Sequence, residues 1–213
     1  MHDSGRIVII GCGSFAKELI IWMIDSNLFK DIESRLYFVD DKFKDDFFIK
    51  NIKISSLGEI KNFKPFQNDS LYLGISKPKD KSKIVQLMDS RNARFESFIH
   101  PTALIASTCS IGRGCIIFPY SVCSDNSNLK EFISINLHSA IGHDVSVDSF
   151  STISSFVDLT GKINVGKRVM IGSGARFLPS VKIGEDSLIG AGAIIFKSIP
   201  KGKTAYCQPA KIL

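Results

Sequence analysis

Through the second half of the chain one apolar residue returns at every sixth position: Ile99, Ile105, Ile111, Ile117, Cys123, Leu129, Ile135, Ile141, Val147, Ile153, Leu159, Val165, Ile171, Phe177, Ile183, Ile189 and Ile195. A period of six matches neither the 3.6-residue repeat of a helix nor the two-residue alternation of a plain strand. It predicts a β-helix of hexapeptide repeats, in which three short strands make one eighteen-residue coil and each strand sends one aliphatic side chain to the axis. Residues eighteen apart then stack. Glycine follows the inward residue at Gly112, Gly142, Gly166, Gly172, Gly184 and Gly190, and these positions read as corners that need positive φ.

The frame begins abruptly at Ile99, so the preceding residues form a domain of another kind. Arg6-Ile7-Val8-Ile9-Ile10 reads as a strand, Gly11-Cys12-Gly13-Ser14-Phe15-Ala16 as a glycine turn, and the segment from Lys17 to Asp25 as a helix. The G-x-G-x-x-A pattern lets backbone approach a phosphate at a helix N-terminus; the same spacing also serves a tight turn that merely packs helix on strand. A second strand, Leu36-Tyr37-Phe38-Val39, ends in Asp40-Asp41, where such a unit places a carboxylate able to accept from a ribose or base. Ser70 to Ile75 is a third strand, Lys79 to Asp89 a helix, and Phe95 to Phe98 a last strand; 42–69 reads as irregular. The unit is about half of a full dinucleotide fold, so a mononucleotide or nucleotide sugar fits it better than NAD.

At 213 residues, 44% hydrophobic, the composition is that of a globular chain. No apolar leader opens it and no stretch is long enough to span a bilayer, which sets the expectation of a cytoplasmic protein without membrane insertion. The five cysteines (Cys12, Cys109, Cys115, Cys123, Cys207) show no metal-ligand spacing and read as free thiols filling the core; no metal is expected. The net charge of +6 is spread over both halves, too diffuse for nucleic acid. Beyond Asp186 stand Lys197, Lys201, Lys203 and Lys211 with no acid, a bias that serves either an anionic ligand or solvation of the end of the coil.

Among the histidines, His2 is terminal and His100, beside Pro101, reads as a cap at the mouth of the coil. His138 and His143 fall on successive, different corners and are not expected to act as a pair. One coil below His143 lies Asp125 and one coil above lies Gly161, an empty side-chain position that would admit a ligand. With Asp144 or Asp125 holding its tautomer, His143 is a candidate general base; on spacing alone it is equally a solvent-exposed corner histidine.

Gly11-Cys12-Gly13-Ser14-Phe15-Ala16-Lys17-Glu18, Phe38-Val39-Asp40-Asp41, Ile99-His100-Pro101, Ile141-Gly142-His143-Asp144-Val145, Leu159-Thr160-Gly161 and Gln208-Pro209-Ala210-Lys211 together resemble the sugar O-/N-acyltransferases of the sialic acid O-acetyltransferase type. Relatives of that family include the bacterial nucleotide-4-amino-sugar N-acetyltransferases. The resemblance implies a Rossmann-like α/β domain over 1–95 that binds a nucleotide sugar, then a left-handed parallel β-helix over 96–213. It also implies a homotrimer with acetyl-CoA along the coil at the subunit boundary. By resemblance His143 is the base and Asp144 its orienting acid. The nucleotide part is held around Gly11, Gly13, Ser14, Asp40, Asp41 and Gly74, and acetyl-CoA near Gly161, Ala191 and Lys211. Four positions depart from the family pattern: Ser14 and Phe15 where members often carry glycine and histidine, Thr152 where some carry a second histidine, and Cys207 for the glycine of the closing motif.

The function expected is N-acetylation of a nucleotide-linked 4-amino sugar in bacterial surface-glycan synthesis, by direct attack on the thioester. O-acetylation of sialic acid or a similar sugar is the alternative within the class. A non-catalytic sugar-nucleotide-binding trimer and a small NAD-binding redox protein stand outside it.

Overall fold

The computed structural model describes residues 5–43 and 45–208. The chain divides into two compact units, 1–101 and 102–213.

The first unit is a five-stranded sheet with helices. In chain order its elements are β1 (Ile7–Ile10), α1 (Ser14–Asp25), α2 (Ile32–Arg35), β2 (Leu36–Val39), β3 (Phe47–Ile49), β4 (Ile52–Ser56), β5 (Ser70–Leu73) and α3 (Pro78–Asp89). The sheet runs β3-β4-β2-β1-β5. β1 pairs parallel with both β2 and β5, and β4 pairs parallel with β2. β1 is buried throughout, which is why it reads as an unbroken aliphatic run rather than an alternating one.

The stretch 42–69, expected to be irregular, instead contains the β3–β4 hairpin, whose strands pair antiparallel. It escapes the sequence pattern because β3 lies on the sheet edge with Phe48 exposed, so it lacks a clean apolar face. Phe47 meets Phe38 of β2 with ring centroids 5.2 Å apart, and the Arg6 guanidinium lies 4.2 Å from the Phe66 ring centre. The expected strand Phe95–Phe98 resolves into a single bridge from Phe95 to Leu71 and a two-residue strand, Phe98–Ile99. His100 is buried with edge contacts to Trp22 and Phe98. Burial lowers its pKa, so it stays neutral and packs as a ring.

The second unit is a parallel coil of two-residue strands. Each strand pairs with the one eighteen residues on, as in Val122↔Ala140 and Cys123↔Ile141, or Leu129↔Val147, or Ile135↔Ile153. The frame residues are buried without exception from Ile117 to Ile195. Ile105 and Ile111 are half-buried, because the first coil has a neighbour on one side only. Each buried aliphatic contributes about 1.5–3 kcal/mol relative to exposure.

A second buried frame, which the apolar pattern hides, lies four residues after the first. It mixes Val, Ile and Ala with Cys115, Ser121, Ser127, Ser139, Ser151 and Ser187. The serines can be buried because they are satisfied: Ser139 Oγ donates to the Ser154 carbonyl at 2.8 Å and accepts the Val157 N–H at 3.2 Å. Ser151 does the same toward Gly166 and Val169.

The glycines that follow the inward residues do not carry positive φ. That conformation falls two residues later, at Gly114, Gly174 and Gly192 but also at Tyr120, Asn126, Phe132, His138, Asp144, Phe150, Phe156, Lys162, Arg168, Ser180 and Asp186. The earlier glycines are required by contact between coils: a Cβ on Gly142 would sit 1.4 Å from the Thr160 carbonyl oxygen, and one on Gly184 would sit 2.3 Å from the Lys201 nitrogen. Hence Gly142→Ala should destabilise the protein by about 2–4 kcal/mol, seen as a large fall in Tm. Gly13→Ala, where a Cβ meets nothing within 4 Å, should leave Tm nearly unchanged.

Candidate active site

His143 and Asp144 share one corner of the coil, just after the strand Ala140–Ile141. Asp144 has φ 57, a left-handed conformation that Asp tolerates better than most residues. This turns its carboxylate back on its neighbour, so that His143 Nδ1 and Asp144 Oδ2 lie 2.8 Å apart. The carboxylate accepts, so Nδ1 carries the proton and Nε2 presents a lone pair. The hydrogen bond from His143, then that from Asn126, hold the Asp144 carboxyl below its usual range. Asp144 therefore stays ionised wherever a neutral histidine could act.

Asp125, the other carboxylate considered for this role, is turned elsewhere: it accepts from Thr108 Oγ1 at 2.6 Å. Nor is the position above His143 an empty one. A Cβ on Gly161 would lie 2.4 Å from His143 Nε2; the imidazole itself occupies the space the glycine leaves, and the glycine is needed to admit that ring. No acceptor among the described residues takes the Gly161 N–H. The His143 side chain is 58% exposed.

His138 belongs to a different column. Its ring stacks between Tyr120 and Phe156 at centroid distances of 5.0 and 5.1 Å, away from the His143 corner as expected. Thr152 is buried within a coil strand. Ala191 is exposed, and its carbonyl accepts from the Cys207 thiol at 3.2 Å. Lys211 lies outside the described residues. Of the other C-terminal lysines, Lys201 pairs with Glu185 and Lys197 lies over Phe196, which ties both to the coil. The cysteines are all free; Cys12, Cys115 and Cys123 are core fillers, whereas Cys109 is half-buried and Cys207 exposed.

The first unit carries a cavity of about 550 Å³ lined by Gly11, Gly13, Ser14, Asp40, Asp41 and Gly74, together with Phe15, Phe43, Lys42, Lys77 and Lys83. It opens at the C-terminal ends of β1, β2 and β5, where the strand order reverses about β1; open α/β sheets bind ligands at such a switch point. The N-cap of α1 is Gly13, which supplies no side chain, and no acid stands in the first turn. A helix end of this kind favours an anion. Gly74 has a packing reason to be glycine, since a Cβ there would lie 2.7 Å from Ala16 Cβ.

The two aspartates differ. Asp40 Oδ2 accepts from the Cys12 N–H at 2.7 Å, and Oδ1 from the Lys42 and Phe43 N–H groups at 2.7 and 3.0 Å. Its carboxylate is thus spent on the protein's own backbone, tying the glycine turn to the loop after β2, rather than standing free for a ribose. Asp41 has one long contact, from the Lys61 N–H at 3.4 Å, and retains its acceptor capacity. The Cys12 thiol, pushed up to about 11 by burial, is no nucleophile.

Residues 162–197 match the family model described as the bacterial transferase hexapeptide (six repeats). Those residues lie within the coil, whose hexapeptide repeats the match recognises. Over 76 residues, 36% of this chain and 34% of the relative, it is 29% identical to a GDP-perosamine N-acetyltransferase of Escherichia coli O157:H7. The chain thus spans about a third of that curated relative's length. Among solved structures, the acetyltransferase domain of PglB from Neisseria gonorrhoeae FA1090 superposes with a TM-score of 0.85 at 23% identity, covering 98% of this chain and 99% of that one. PerB from Caulobacter crescentus, solved in complex with CoA and GDP-perosamine, gives 0.81 at 22% identity, covering 99% and 98%. At these identities the likeness establishes that the hexapeptide coil and its preceding sheet form one known fold.

Because Asp40 anchors three backbone donors, Asp40→Ala should cost about 1–3 kcal/mol and lower the melting temperature of the protein by several degrees. Asp41→Ala should leave it within about one degree. Differential scanning calorimetry on the two variants separates the structural aspartate from the free one.

Proposed function

We propose that the protein is an acetyl-CoA-dependent N-acetyltransferase that acylates the amino group of a nucleotide-linked 4-amino sugar in bacterial surface-glycan synthesis. The observation that carries this reading is the His143–Asp144 pair, with Nδ1 committed and Nε2 free beside Gly161, on a hexapeptide coil. The solved relatives of that fold include proteins crystallised with acetyl coenzyme A or with CoA and GDP-perosamine.

In this mechanism the sugar amine attacks the thioester carbonyl directly. Nε2 of His143 takes the amine proton as the C–N bond forms, the Asp144 carboxylate steadies the resulting imidazolium, and the Gly161 N–H donates to the developing oxyanion. Collapse breaks the C–S bond, and the imidazolium returns its proton to the departing thiolate. Atoms and charge balance with no acyl-enzyme. The α1 N-terminus and Lys42, Lys77 and Lys83 receive the pyrophosphate, and Asp41 accepts from the nucleoside. Holding both substrates in place supplies much of the acceleration.

The protein acts as a homotrimer in which a neighbouring coil walls the open His143 corner. Supporting this, one coil face and the corner before it expose Leu104, Tyr120, Val122, Phe156 and Ile194, large apolar side chains that an isolated coil would leave in water.

Thiol release from acetyl-CoA, assayed against UDP-, GDP- and dTDP-linked 4-amino sugars and free sialic acid, tests the reading. Activity confined to amino sugars is expected; acetylation of sialic acid alone would move the assignment to an O-acetyltransferase. His143→Ala should lower kcat by about 10² to 10⁴ and keep acetyl-CoA binding. With an amine acceptor, alkaline pH should partly restore the variant, because the amine then loses its own proton. Full activity of His143→Ala at neutral pH would turn the reading into that of a binding protein.

A further inference from the structure

The corner column that follows His143's, left-handed at Asn126, Asp144 and Lys162, consists of Thr108, Asn126, Asp144 and Lys162, each eighteen residues from the next. Three of them are joined by hydrogen bonds. Thr108 Oγ1 accepts the Asn126 N–H at 3.0 Å and itself donates to Asp125. Asn126 Nδ2 donates to Asp144 Oδ1 at 2.7 Å, while the other oxygen of that carboxylate faces His143 Nδ1 at 2.8 Å. Lys162 adds its charge from the coil above.

A carboxylate on a short side chain at an exposed corner rotates freely unless both oxygens are held. Here one oxygen is fixed from the coil below and the other is thereby left facing the imidazole. We infer that Asn126 is a positioning residue for the base: by gripping Asp144 Oδ1 it fixes the carboxylate plane, and through that the His143 tautomer with Nε2 unprotonated. The inference rests on the reading of His143 as the general base. The residue types fit the task. Asn126 has φ 54, a conformation that asparagine tolerates, and its amide offers a donor where an aspartate would repel Asp144. The bond is solvent-exposed, so it adds little to stability; what it supplies is orientation, and a small displacement of a catalytic group is enough to cost up to about 10² in rate.

Two variants test this without disturbing the backbone. Asn126→Gly removes the amide at a position whose φ suits glycine, and Asn126→Asp keeps the shape while replacing the donor with a charge of the wrong sign. Both should keep the melting temperature within a degree or two and leave KM for each substrate unchanged, while kcat falls roughly ten- to hundredfold. The decisive readout needs no substrate: ¹⁵N NMR of His143 should show the Nδ1–H tautomer in the wild type and a mixture with Nε2–H in either variant, since an unrestrained imidazole favours Nε2–H. An unchanged tautomer in both variants overturns the inference, whatever happens to kcat. If the wild type transfers no acyl group to any acceptor while the tautomer still shifts, the positioning of His143 by Asn126 stands and the enzymatic reading fails.

Discussion

Everything in the second unit follows from the stacking of parallel coils at an offset of eighteen residues. The backbone ladder between coils, seen in pairs such as Ala140↔Asp158 and Ile141↔Leu159, brings carbonyl and N–H groups so close that no Cβ can stand at Gly142. That contact converts sequence distance into spatial adjacency. Positions 108, 126 and 144 become one polar column, Tyr120, His138 and Phe156 one stack of rings, and Phe132 and Phe150 another, 5.5 Å apart and nearly parallel. The His143–Asp144 corner is built on this regularity: His143 can lie over position 161 only because that residue is glycine, and Asp144 can face back on it only because the corner adopts a left-handed conformation.

The same constraint explains how much could be read without coordinates. The six-residue frame marks the axis-facing side chains because burial at the axis admits little but aliphatics, and it holds from Ile117 to Ile195 without a miss. The adjacency of His143 and Asp144 was legible as well, since their pairing needs only one corner. What was not legible depends on distances between coils. The glycines after the inward residues look like turn glycines, yet they answer to a carbonyl eighteen residues away, and the positive φ two residues later is borne by aromatic, charged and polar side chains alike. The serine frame is invisible to an apolar count because its members are paid for by hydrogen bonds to the next coil. Asn126 carries no local signal except its eighteen-residue spacing from Asp144.

The first unit teaches the complementary lesson. Its glycine turn and the acids after β2 were found where a nucleotide-binding sheet would have them, and they do line one cavity at the switch point of the strand order. Their division of labour was hidden, because two adjacent aspartates look alike in sequence. Three backbone N–H groups claim Asp40, whereas Asp41 has one long contact and keeps its acceptor capacity. The β3–β4 hairpin leaves no clear mark in the sequence, since an edge strand with one exposed face need not alternate cleanly.

The central claim is that the free nitrogen of His143 meets the acceptor's amine. A crystal structure of the protein with CoA and a nucleotide-linked 4-amino sugar measures this directly. The account predicts the sugar amine within about 3.2 Å of a His143 Nε2, with the pyrophosphate at the N-terminus of α1 and Asp41 on the nucleoside. An acceptor bound with its amine turned away from every His143 in the assembly, or a nucleotide seated outside the cavity of the first unit, would contradict it.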